Sequence, residues 1–177
     1  FDAYSLVLAR RHEYAADEVA ASVAGADAAA TALVRIELAS DWLQRGFWPE
    51  IRNSAHAQAY PPTQVHAQLS AALATQPFAP VALPQWLLEQ EADPDDTHPT
   101  LAKRLAALGV GTDLQVQARG PASAAGSLLG DALVQQLEQR FSHEWAQAKR
   151  EEWASRHQQR ERERARLAAL EASAGRA

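Results

Sequence analysis

The sequence predicts an all-α fold, an irregular helical domain closed by a long C-terminal helix. Alanine, leucine and glutamine dominate while β-branched residues are sparse, a composition that favours helix over strand. Apolar residues recur at three- and four-residue steps, the spacing that gathers them on one helical face. Turn-forming residues collect in a few clusters, and no stretch is rich in strand formers.

Taken in order, Phe1, Tyr4, Leu8, Ala15, Val19 and Val23 trace a first helix that Gly25 should stop just past its last turn. Because Phe1 already lies inside that pattern, the chain reads as a piece of a longer polypeptide. Asp27 can cap a second helix carrying Leu33, Ile36 and Trp42, with a bend or end expected at Gly46 and Pro49 and further helix up to Ala59. Pro61 and Pro62 break the chain, and Thr63 is the expected cap of a helix running through Val65, Leu69 and Leu73 to about Gln76. Residues 77–84 form a proline-rich loop, and Pro84 suits the first position of a short helix holding Trp86, Leu87 and Leu88. After an acidic loop at 93–99, Leu101, Leu105 and Leu108 mark a helix ended by Gly109 and Gly111. Residues 114–117 alternate apolar and polar and predict a short extended piece. Ser123 opens the last helical region. From about 131 to 173 it extends on the order of 65 Å at 1.5 Å per residue. Its first half carries an apolar stripe of Leu133, Leu137, Phe141, Trp145 and Ala148, whereas residues 149–166 hold only Trp153 as a large apolar side chain, so that half should be solvated or pack on something outside this chain.

A chain of 177 residues can bury roughly 68–70% of the surface its unfolded form exposes, so it needs no staple. The absence of cysteine excludes a disulfide framework, a zinc finger and thiol catalysis. With 17 basic against 22 acidic side chains the net charge is −5, which argues against nucleic acid as a partner. The charge is uneven: residues 1–148 hold 9 basic and 17 acidic side chains, and residues 149–177 hold 8 and 5. No apolar run approaches the ~20 residues of a membrane span, and no signal peptide is visible.

The most informative local arrangement is Arg10-Arg11-His12-Glu13-Tyr14-Ala15-Ala16-Asp17. Glu13 and Asp17 share a helix face, where like charges repel by ~0.2–0.5 kcal/mol unless a cation neutralises them. Their neighbours there are Ala9, Ala16, Ala20 and Ala24, so another helix can approach closely and bury the acids. Buried acids then require a cation or hydrogen-bond donors. Spacing alone also permits Glu13 paired with Arg10 one turn back and Asp17 as a surface acid.

The string Glu13-Tyr14-Ala15-Ala16-Asp17, an E-x-x-A-D pattern after a basic pair, resembles the third-ligand helix of the HtpX-like and CAAX-prenyl-protease-like zinc metallopeptidases, metallopeptidase family 48. A second segment, Asp96-Thr97-His98-Pro99-Thr100-Leu101-Ala102-Lys103-Arg104-Leu105, resembles that family's T-H-P segment, which opens a helix rich in Arg and Leu. The resemblance implies a membrane-associated zinc metalloendopeptidase in which Glu13 joins two histidines of an HExxH helix as a Zn2+ ligand. Asp17 would support the site from behind. His98 would reach toward it, stabilising the transition-state oxyanion or holding substrate. One departure is Ala15, where many members carry another acid. By this resemblance residues 1–130 are the C-terminal part of the metallopeptidase domain and 131–177 a long, partly solvated helical extension.

No HExxH occurs, because His12-Glu13-Tyr14-Ala15-Ala16 and His143-Glu144-Trp145-Ala146-Gln147 both fail at the second histidine. The catalytic and membrane helices are therefore expected upstream, with this portion soluble, on the cytoplasmic side, inert alone and poor in zinc. Its expected partners are those upstream segments, a polypeptide substrate and, through the long last helix, further copies in an oligomer. Read without the family, Thr97 or His98 caps a helix with Pro99 in its first turn and Asp95 and Asp96 near its positive end. The chain is then a non-catalytic helical interaction or regulatory domain.

Other motifs carry less. Pro99 and Arg104 occupy positions where a calcium loop beginning near Asp93 would need ligands. His56 and His66 read as exposed histidines, and neither a nucleophile elbow nor a glycine-rich phosphate loop exists. The basic tail, from Arg156 to Arg166, reads as a solvated helix held by spaced ion pairs such as Glu152 with Arg156, with anionic lipid as a further contact.

Overall fold

Eight α-helices follow one another among the described residues: α1 (Ala3–Ala24), α2 (Ala26–Trp42), α3 (Trp48–Asn53), α4 (Val65–Thr75), α5 (Gln85–Leu88), α6 (Leu101–Ala107), α7 (Ala124–Leu129) and α8 (Asp131–Ala174). A π-helical turn spans Leu43–Phe47 and a 3-10 turn Ser54–His56. The computed structural model describes residues 3–76, 78, 82–91, 96–116 and 123–174, and no strand occurs among them. The all-α expectation holds, including the long last helix of 44 residues. Phe1, Pro77, Pro80, Asp93, Pro94, Asp95 and Gln117 lie outside the described residues. Contacts divide the chain into two compact units, one of Phe1–Asp41 with Pro77–Arg119 and one of Trp42–Gln76 with Gly120–Ala177.

In the first unit α1 ends where expected, at Gly25, whose φ of +89° suits a residue without Cβ. Ala30 and Val34, one turn apart on α2, meet Leu87 of α5 and Leu101 and Leu105 of α6 in an apolar core. Leu114 and Val116 join that core while Gln115 between them is exposed. The alternation predicted for this segment is present over residues 114–116, but no strand forms there among the described residues. α1 places no residue in the core cluster. Tyr4, Val7, Leu8, Val19 and Val23 are all exposed, and the buried residue of this helix is Asp17. The apolar periodicity that predicts α1 thus marks its open face.

Two caps differ from expectation in this unit. α2 already begins at Ala26, so Asp27 sits in its first turn rather than before it, still favourably near the positive end of the helix. α6 begins at Leu101 with Thr100 at the cap position, which leaves Thr97, His98 and Pro99 outside the helix. The cause is local: Asp96 Oδ1 accepts the His98 backbone N–H at 2.8 Å, and this Asx turn takes the segment out of helical register.

In the second unit the bend expected at Gly46 and Pro49 is the π-helical turn, where the Trp48 N–H reaches the Leu43 carbonyl. Pro49 has no N–H for the carbonyl four residues back and its ring crowds it; the wider turn relieves both. Rings run in contact from Trp42 to Phe47 at 5.9 Å, to Trp48 at 5.1 Å, to Trp145 at 6.1 Å and to Trp153 at 6.0 Å. Gln64, not Thr63, precedes α4, and no local side chain caps it. Instead Ser142 of α8, fully buried, accepts the His66 N–H at 3.0 Å. Further along α8, Trp153 Nε1 donates to the Gln58 carbonyl at 3.0 Å and His157 Nδ1 to the Ala55 carbonyl at 2.9 Å.

Beyond His157 every described residue of α8 is exposed, as expected of the solvated half. Ion pairs at helical spacing support it: Lys149 and Arg156 on Glu152, Arg160 on Glu163 and Arg164 on Glu161. The Lys149 hydrogen bond, with Arg156 behind it, holds the Glu152 carboxyl below its usual range. Among the described residues no helix is long and apolar enough to cross a membrane.

Two substitutions test this packing. Leu87→Ala should lower the stability of the first unit by about 2–5 kcal/mol, measured by urea unfolding followed by far-UV circular dichroism. Ser142→Ala should destabilise the second unit by about 1 kcal/mol, the usual worth of a helix cap, read as a lower urea midpoint at constant slope.

Candidate functional site

The site is built where α6 and the turn preceding it meet α1 inside the first unit. The apolar repeat of Leu101, Leu105 and Leu108 turns one face of α6 into the core and leaves Arg104 on its flank. From there the guanidinium faces α1. Its Nε donates to Asp17 Oδ2 at 2.7 Å and its Nη2 to Asp17 Oδ1 at 2.6 Å, a two-pronged pair of the strongest kind. The remaining nitrogen, Nη1, lies 3.0 Å from Glu13 Oε2. One cation therefore joins both acids that the sequence places on one helix face.

The other Glu13 oxygen is met by His98, whose Nδ1 is 3.1 Å from Oε1. The turn carrying His98 is tied to α1 by Arg10, which donates to the Asp96 carbonyl through Nε at 3.0 Å and Nη2 at 2.7 Å. Glu13, Asp17 and His98, singled out from sequence, thus come together in one cluster. Two alternatives drawn from spacing are not what the structure has: Glu13 meets Arg104 and His98, Arg10 donates to the Asp96 carbonyl, and Asp17 is only 6% exposed rather than a surface acid.

Burial is graded across the cluster. The side chain of Asp17 is 8% exposed, Arg104 18%, Glu13 28% and His98 64%. The Asp17 hydrogen bond, opposed by burial and reinforced by the charges of Asp17, Glu13 and Glu37, holds the Arg104 guanidinium above its already high ordinary value, so it is a permanent cation. A groove of about 630 Å³ beside the cluster is lined by Arg11, Tyr14, Asp17, Glu18 and Leu108, among others.

The fit to a metal is incomplete. No group of three or more His, Cys, Asp and Glu side chains able to hold a metal ion occurs among the described residues. Glu13 supplies one suitable oxygen donor, and its two oxygens face Arg104 and His98 of this chain. A zinc ion requires three protein ligands and an open position in a catalytic site, so these residues do not make one unaided.

Arg104 is the residue sequence reasoning passed over, although it stands inside the second motif. The signal was the apolar repeat of α6, which puts position 104 beside the buried face of that helix. For Arg10 there was none, because its acceptor is a backbone carbonyl 86 positions away.

No family model, curated protein or solved structure matches the chain.

Removing the shared cation leaves Asp17 buried and uncompensated. Arg104→Leu should therefore cost about 3 kcal/mol of first-unit stability, with Arg104→Lys recovering only part because one ammonium cannot span both carboxylates. Urea unfolding checks this, and a change below about 0.5 kcal/mol would reduce the clamp to an ordinary surface pair.

Proposed function

We propose that this chain is part of a membrane-associated zinc metalloendopeptidase and supplies the third zinc ligand, Glu13, to an active centre whose two histidines belong to an HExxH segment of the same protein. The observation that supports this reading is the unequal treatment of two acids on one helix face. Asp17 is buried with both oxygens locked on Arg104, whereas Glu13 is more than a quarter exposed and shares its oxygens between Arg104 and His98. A fixed inner acid behind a reachable outer one is the relation of a supporting carboxylate to a ligand. Among Glu13, Asp17 and Arg104 one negative charge is left over, which suits a site meant to receive a cation.

In this reading the reaction is hydrolysis of a peptide bond and the substrate a polypeptide. Asp17 and Arg104 fix the direction of Glu13. His98, the most exposed member of the cluster, is placed to donate a hydrogen bond to a substrate carbonyl or to its developing oxyanion. The chain lies outside the bilayer, on the cytoplasmic side of the membrane that holds its parent.

A second reading draws on the completeness of the clamp, since all three nitrogens of Arg104 already have carboxylate partners. In it the cluster is a structural joint of a non-catalytic interaction domain. One experiment separates the two: zinc content and peptide hydrolysis of the parent protein carrying Glu13→Ala. The peptidase reading expects both to fall by at least the roughly 10–100-fold that loss of even a supporting residue costs, with the helical circular dichroism spectrum retained. Full zinc content and unchanged turnover would leave the structural joint standing alone.

A further inference from the structure

His98 lies outside any helix, between a turn and Pro99, and its side chain is 64% exposed. Its hydrogen bond to Glu13 is a single contact of 3.1 Å, and one exposed contact of that length does not hold a loop. Two further interactions decide where the ring stands. Asp96 Oδ1 accepts the His98 N–H at 2.8 Å and closes the turn on itself. The carbonyl of the same Asp96 receives Nε and Nη2 of Arg10 at 3.0 and 2.7 Å. Arg10 sits on α1 three residues before Glu13, so the turn is referenced to the very helix that bears the carboxylate. A guanidinium that gives two hydrogen bonds to one carbonyl oxygen fixes direction as well as distance.

We propose that Arg10 is the positioning residue for His98: by clamping the Asp96 carbonyl to α1 it sets the imidazole against Glu13. Arg104, on α6, holds the two acids; Arg10, one turn before Glu13 on α1, holds the turn that carries the histidine. The functional half of this assignment rests on the peptidase reading, and its structural half does not.

The chain contains no cysteine, so spin labels can be placed at Thr97→Cys and Val23→Cys in the full 177-residue chain and their separation measured by pulsed electron resonance. With Arg10 present a single narrow distance distribution is expected. Arg10→Ala should broaden it at least twofold, and Arg10→Lys should restore part of the order; an unchanged width in Arg10→Ala overturns the assignment. In the parent protein Arg10→Ala should lower kcat with KM within twofold, and should add nothing further on a His98→Ala background. A full additional loss on that background would show Arg10 acting by another route and overturn the assignment equally. If the unsubstituted parent hydrolyses no peptide, the peptidase reading falls, while the label distances still decide whether Arg10 positions His98.

Discussion

The first unit depends on the pairing of Asp17 with Arg104. Among the described residues α1 contributes no side chain to the apolar core, and Tyr4, Val7, Leu8, Val19 and Val23 are exposed. What joins it to α6 is a buried carboxylate gripped by both sides of a guanidinium fork. Such a pair adds little net stability over a well-packed apolar contact, but breaking it leaves a charge stranded away from water. Its value is in direction. A hydrophobic contact can slide, whereas two parallel hydrogen bonds set the rotation of α1 about its axis, and Glu13 one turn away is aimed as a consequence.

The second unit follows the same logic by other means. α8 is long and mostly polar, and its fully or nearly buried residues are Ser142 and Trp153. It is attached where its side chains satisfy backbone groups that other segments leave open: an amide at the start of α4, and carbonyls at Ala55 and Gln58. Unmet helix-end groups are costly when covered by protein, so each becomes a specific docking point. A row of rings in contact runs from Trp42 to Trp153 beside them.

The proposed function draws on the chemistry of the cluster and on two short motifs. The geometry adds a division of labour within the cluster. One acid is enclosed, one is reachable, a permanent cation sits between them, and a histidine stands at the rim. In the proposed peptidase this gradient would keep the inner groups fixed while the outer ones exchange partners.

Helices were legible in the sequence because they obey local rules. Gly25 and Gly109 end helices where a positive φ suits glycine, Ser123 begins α7 by accepting the Gly126 N–H on its side chain, and α8 beyond His157 is exposed as its charged composition demands. Glu13 and Asp17 were legible as one face of one helix, and His98 as part of a motif. What the tertiary structure decided is which groups meet across long stretches of chain. Arg104 finds Asp17, Arg10 finds a carbonyl 86 positions away, and Ser142 replaces the cap expected from Thr63. Helical periodicity reports only that one face differs from the other. Whether that face lies against a core or, as in α1, against water is settled by the partners that fold onto it, and those are chosen by contacts remote in sequence.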